Sequence, residues 1–306
     1  MRTIRIMRIL CIHRCRRAHY LWMSAAFGMA LAAALACLVP RNGAATTPMS
    51  TQSRAGTVAP AGADGFAGIE WVRVPVPGGA VTAAVARPPG EGPFPVLVIL
   101  HGTHGFAREY VRLAQDLSRE GGVVAVAGCW FKGGQGKGSK FVTPIECPDA
   151  PEMPNHWSKE GLGIVSALVA AARALPGVRG DRVALFGHSR GGGAALQYVV
   201  ERRDVQAAVL NSIGYPDEVV ALATSVSAPL LQLHGTADGP ARGEGGTEYH
   251  KIEQARKFEG ALRQANKPYK AVHFDGSGHN SLFTDAKQYD ETVQLVAKFL
   301  RDHLRK

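Results

Sequence analysis

The chain has 306 residues, 46% hydrophobic and 20% charged, with a formal net charge of +10 at neutral pH. Seven arginines and no acidic residue fall within the first 45 positions, leaving 28 basic against 25 acidic residues beyond them. The remainder is therefore nearly neutral, and its charge excludes the electrostatic footprint of a nucleic-acid-binding protein.

Arg2, Arg5, Arg8, Arg14, Arg16 and Arg17 make a basic start, and Tyr20 to Val39 is almost wholly apolar and alanine-rich. Small residues suited to cleavage follow at Ala34-Leu35-Ala36 and Gly43-Ala44-Ala45. Residues 1–45 therefore read as an export signal that is either cleaved or kept as a membrane anchor, since the apolar run is near the length of a bilayer span. Arg16-Arg17 resembles a twin-arginine signal, and Ala34-Leu35-Ala36-Cys37 resembles a lipoprotein site that would lipidate Cys37. The expected location is periplasmic or extracellular. Residues 46–65, rich in Ala, Thr, Ser, Pro and Gly, read as a flexible linker. About 240 residues remain from Phe66, enough for one α/β domain over 66–306.

Ile69–Val74 and Val81–Ala86 read as paired strands joined at Pro77-Gly78-Gly79. Pro95–Leu100 is a continuous apolar run, as a parallel strand covered on both faces requires. A helix is predicted over Phe106–Glu120, a buried strand over Val123–Ala127, and a helix over Ser158–Leu175 with Ser158 as its N-cap. Strand 182–186, helix 190–202, strand 207–211, a short helix near 217–224 and strand 229–233 come next. A helix at 247–265, strand 270–274 and a helix at 285–304 complete the chain. This alternation calls for the α/β class, a mostly parallel sheet with helices on both faces, whose ligands bind beyond the carboxyl ends of the strands.

Functional side chains should then follow strands directly. Strand 182–186 runs into Gly187-His188-Ser189-Arg190-Gly191, and a small-residue helix follows. A sharp strand-to-helix turn strains its apex residue, so its neighbours two before and two after must lack bulk. Gly187 and Gly191 meet that demand, and Ser189 becomes the candidate nucleophile. A serine needs a base and an acid to orient that base. Strand 270–274 is followed by Asp275-Gly276-Ser277-Gly278-His279, and strand 229–233 by His234-Gly235-Thr236-Ala237-Asp238. His279 is the candidate base and Asp238 the candidate acid, with Asp217 or Glu218 as the competing acid. An oxyanion hole needs two backbone N–H groups. They are expected from Arg190 and from Thr103, in the loop His101-Gly102-Thr103-His104-Gly105. His101 and His104 could instead form a metal pair, but no third ligand is spaced to complete a site, so neither metal nor cofactor is expected.

These motifs together resemble the α/β-hydrolase fold, and more narrowly its dienelactone-hydrolase-like branch, from about Trp71 to Leu304. The branch's namesake carries cysteine where this chain has Ser189. The resemblance implies a two-step acyl transfer from a small-molecule ester: Ser189 attacks, His279 accepts and returns the proton, and water releases the acid. A peptide or amide hydrolase with the same residues, and a non-catalytic binding relative, are the alternatives.

Cys129 to Trp157 is a long insertion after strand 123–127, at the expected catalytic edge. Cys129 and Cys147 are the only cysteines beyond the signal, and in an oxidising compartment their default is a disulfide. The loop is expected to shape the pocket, with Trp157 at its end. Lys132, Lys137 and Lys140 either favour an anionic substrate or belong to a solvated loop.

Overall fold

The computed structural model describes residues 59–133, 140–155 and 157–305. The expected export signal, with Cys37, therefore lies outside the described residues, as does Lys137. Among the described residues no helix is long and apolar enough to cross a membrane.

Eight strands form one sheet: β1 (Ile69–Val76), β2 (Gly79–Ala86), β3 (Phe94–Leu100), β4 (Val124–Gly128), β5 (Val178–His188), β6 (Ala207–Asn211), β7 (Leu230–Gly235) and β8 (Tyr269–Phe274). Their order is β1-β2-β4-β3-β5-β6-β7-β8. β1 pairs antiparallel with β2 through a tight turn, and β2 pairs antiparallel with β4. Every later neighbour is parallel. The apolar runs Val96–Leu100 and Val124–Ala127 are buried, as strands covered on both faces must be.

Strand order and handedness decide where the helices lie. The chain passes from β3 to β4 in one direction across the sheet through α1 (Arg108–Gly121). It passes from β4 to β5 and from β5 to β6 in the other, through α2 (Lys159–Arg173) and α3 (Arg190–Glu201). Right-handed crossovers therefore put α1 on one face and α2 and α3 on the other. α1 packs against the last helix and α2 against α3. The direction reverses between β3 and β5, so the crevice beyond their carboxyl ends is where a ligand site is expected.

Local differences from the sequence-based expectation have physical causes. The helix expected from 247 begins as α5 at Ile252 (Ile252–Gln264), after α4 (Asp217–Ala221) and a 3₁₀ turn at Glu248–His250. The final helix expected over 285–304 is α7 (Ala286–Leu304), whose N-cap Asp285 accepts from the N–H of Gln288, and a short unexpected α6 (Ser281–Thr284) precedes it. Ser158 caps α2 as expected, accepting from Gly161 N–H. The end of the expected flexible linker is held against the domain. Arg108 donates to the carbonyls of Gly62 and Asp64 at 2.9 and 2.6 Å, and Ala63 is buried. Ordered contacts thus begin before Phe66.

Candidate active site

Ser189 caps the end of β5 with φ 52° and ψ −119°, a backbone state that side chains rarely adopt. The turn is held by its N–H, which donates to the Asn211 carbonyl at 2.8 Å, and by close packing. A Cβ on Gly187 would run into the Gly191 carbonyl, and one on Gly191 into that of Leu100. These two glycines let β5, α3 and β3 converge beneath the serine.

His279 lies in the loop after β8 and Asp238 in the loop after β7. His279 Nε2 is 3.0 Å from Ser189 Oγ, and its Nδ1 is 3.0 and 3.1 Å from the two carboxylate oxygens of Asp238. A carboxylate only accepts, so Nδ1 carries the proton and Nε2 is left to accept from the serine hydroxyl. Both side chains are buried. Burial pushes the His279 pKa down to about 4, against the opposing charge of Glu244, so the ring is neutral at physiological pH. Burial also raises Asp238, with His234 and His250 opposing. Asp217 and Glu218, the competing acids, sit in the first turn of α4.

The loop after β3 faces the same point. A Cβ on Gly102 would lie 3.3 Å from the Cβ of Ser189, so this backbone is packed directly on the Ser189 turn. Arg190 Nε donates to Thr103 Oγ1 at 3.4 Å, bringing together the two residues whose N–H groups are the oxyanion candidates. His101 is fully buried with Nδ1 on the Gly102 carbonyl, and His104 Nε2 faces the Tyr110 hydroxyl at 2.9 Å. Among the described residues no group of three or more His, Cys, Asp or Glu side chains could hold a metal ion.

The described part of the insertion is pinned to the domain. Cys129 and Cys147 are disulfide-bonded, with Trp130, Phe131, Val142 and Ile145 in the core. Lys132 pairs with Glu152 at 3.2 Å, Lys140 is exposed, and Trp157 lines a hollow with Trp130, Pro154 and Arg190.

Several surrounding groups carried no sequence signal of their own. His188 is buried, with Nδ1 2.7 Å from Asn211 Oδ1 and Nε2 3.3 Å from Asn280 Oδ1. Asn280 in turn donates to the Glu244 carbonyl at 2.5 Å, tying the His279 loop to the segment after Asp238. His234 Nε2 donates to the His250 carbonyl at 2.6 Å, and the His250 ring stands edge-on to His279 with centroids 4.6 Å apart. The positions of His188 and Asn280, next to Ser189 and His279 in sequence, were the only available hint.

The sequence model of the Dienelactone hydrolase family matches residues 81–298. No curated protein is significantly similar to the chain. Among solved structures it is similar to an esterase of Pyrococcus furiosus, with a TM-score of 0.60 at 15% identity over 77% of this chain and 93% of that one. An esterase of Pyrobaculum calidifontis gives 0.57 at 16% identity, covering 76% and 84%. A dienelactone hydrolase-like promiscuous phosphotriesterase from metagenomic libraries gives 0.59 at 16% identity, covering 77% and 98%. At these identities the likenesses establish the α/β-hydrolase fold.

Proposed function

We propose, from the premise that this chain belongs to the dienelactone hydrolase family, that it hydrolyses carboxylic esters through an acyl-enzyme on Ser189. The observation that carries this reading is the unbroken hydrogen-bond line Ser189 Oγ, His279 Nε2, His279 Nδ1, Asp238 carboxylate, with spacings of 3.0 Å and 3.0 to 3.1 Å.

In the first step the Ser189 hydroxyl passes its proton to His279 Nε2 while Oγ bonds to the ester carbonyl carbon. Negative charge gathers on the carbonyl oxygen, toward the N–H groups of Thr103 and Arg190. Asp238 stabilises the imidazolium without itself taking the proton. Collapse of the tetrahedral adduct expels the alcohol, which leaves with the proton from Nε2. Water then attacks the acyl group, with the same ring as base and acid, and the carboxylic acid departs. The neutral state of His279 is what makes the first transfer available at neutral pH.

Export is part of the same proposal. The Cys129–Cys147 bond supports an oxidising compartment, and the basic-then-apolar segment over 1–45 supports delivery there by a cleaved signal or a retained anchor. The functional test is a panel of nitrophenyl esters of graded acyl length, with matched anilides, run on wild type and Ser189→Ala. Esters should be cleaved faster than anilides, and the variant should lose turnover and labelling by a fluorophosphonate. Turnover surviving in Ser189→Ala would require another nucleophile.

A further inference from the structure

Tyr110, in the first turn of α1, is fully buried eight residues beyond Gly102. Its hydroxyl accepts from the backbone N–H of Gly102 at 2.9 Å and lies 2.9 Å from His104 Nε2. A tyrosine hydroxyl has one proton to give. Gly102 N–H is itself a donor, so among the described partners that proton can go only to His104 Nε2. With the proton of His104 on Nδ1, the chain runs from Gly102 N–H to Tyr110 Oη and from Tyr110 O–H to His104 Nε2, the direction that leaves no buried hydroxyl proton unpaired. The two rings are stacked at 18° with centroids 5.6 Å apart. The His104 ring also meets Phe141 and Phe283 edge-on and lies against His188. This hydroxyl thus clasps both sides of Thr103, through the backbone of the residue before it and the side chain of the residue after it. Thr103 itself is exposed and turns beside Arg190.

We infer that Tyr110 and His104 are positioning residues for the oxyanion hole: their hydrogen bond holds the peptide of Thr103 with its N–H turned toward the carbonyl oxygen of the substrate. The inference rests on the serine-esterase reading above and adds to it a pair of side chains that touch neither nucleophile nor base through a hydrogen bond. Gly102 N–H is occupied by Tyr110 and so is withdrawn from the oxyanion hole, whereas Thr103 N–H has no hydrogen-bond partner among the described residues. Without the clasp, the Gly102 N–H loses its buried acceptor and the loop gains freedom at the atom where transition-state charge collects.

The test compares Tyr110→Phe with wild type on a nitrophenyl ester and against phenylboronic acid, which forms a tetrahedral adduct on an active serine. Tyr110→Phe should lower kcat by about 10- to 100-fold, the scale of an impaired oxyanion donor. It should weaken boronate inhibition by a comparable factor, with KM within about threefold of wild type. A general packing defect would not move kcat and boronate affinity together while leaving KM in place. His104→Phe, which keeps the stacked ring but removes the acceptor, should give the same pattern, and His104→Gln, which restores an acceptor, should recover part of it. Unchanged kcat and boronate affinity in both Tyr110→Phe and His104→Phe would overturn the inference, as would a loss confined to KM. Failure of the underlying reading looks different: Ser189→Ala would then keep the wild-type rate, whatever the Tyr110 variant does. If Tyr110→Phe does not fold, the His104 pair decides alone.

Discussion

The indole N–H of Trp130 donates to the carbonyl oxygen of His101 at 3.0 Å, joining the insertion after β4 to the loop after β3. The residue before Trp130 is Cys129, whose disulfide to Cys147 closes a segment with a sequence separation of 18. A covalent tie therefore sits one residue from a hydrogen bond that supports the candidate oxyanion loop. Trp130→Phe should lower stability by about 2 to 3 kcal/mol, because it leaves the buried His101 carbonyl unpaired and a void where the indole packed. Urea unfolding and steady-state rates on one ester would check this, with a larger fall in kcat than in 1/KM expected.

Removal of the disulfide is predicted to lower stability by about 3 kcal/mol through the greater freedom of the unfolded chain. Parallel urea titrations of wild type and the Cys129→Ser, Cys147→Ser double variant measure it directly. Equal midpoints for the two proteins would show that the bond contributes nothing.

The histidines around the site set the acid behaviour. Burial lowers His101, His188 and His279 from the ordinary 6.5 to about 4, and His250 to about 3. Each is neutral when folded and takes up protons more readily when unfolded, so the unfolded state binds more protons between pH 6.5 and about 4. Stability is then fully present above pH 6.5 and falls as the pH drops through this window. The slope approaches about 1.4 kcal/mol per pH unit for one such group. Melting temperature followed from pH 7 to pH 4 should decline throughout, and a flat profile would contradict the assignment.

Activity should follow the same ring. Protonated His279 cannot accept the serine proton, so kcat/KM should fall on the acid side with a midpoint near the pKa of about 4. A midpoint near 6.5 would mean that the imidazole is solvated in the free enzyme.

Two glycine substitutions should move stability in opposite directions. A Cβ on Gly191 would meet the carbonyls of Leu100 and His101, so Gly191→Ala forces β3 and α3 apart and should abolish folding or turnover. Gly260, in α5, has nothing within 4 Å of a Cβ position. Gly260→Ala should therefore stabilise by about 1 kcal/mol through helix propensity alone. Thermal melts of the two variants provide the comparison.

Much of the architecture is legible from local pattern. Val96–Leu100 and Val183–Phe186 are apolar without alternation, which states that both faces are covered, and the helices between such strands force parallel pairing. Gly187 and Gly191 around Ser189 mark a turn whose need for small residues is a property of the backbone itself. Ser189, Asp238 and His279 could be picked out because each follows a strand, and strand ends share one edge. Element boundaries were less legible. The helix expected from 247 starts only at Ile252, after the 3₁₀ turn at Glu248–His250, and the docking of Gly62 and Asp64 depends on Arg108 in a distant helix.

The linear chain thus determined the class of fold, the sharp turn at Ser189 and the types of residue brought near it, because periodicity and turn chemistry act over a few neighbours. Tertiary structure alone set the Asp238 carboxylate, already favoured by its place after a strand, against His279 Nδ1 across a separation of 41 residues. It alone placed His279 against Ser189 across 90 residues, and paired Tyr110 with Gly102 and His104. Such contacts follow from strand order and side-chain direction, which no short window of sequence encodes. A hydrogen bond tolerates only a few tenths of an ångström, so it exists only where the packed sheet delivers both partners to the same place.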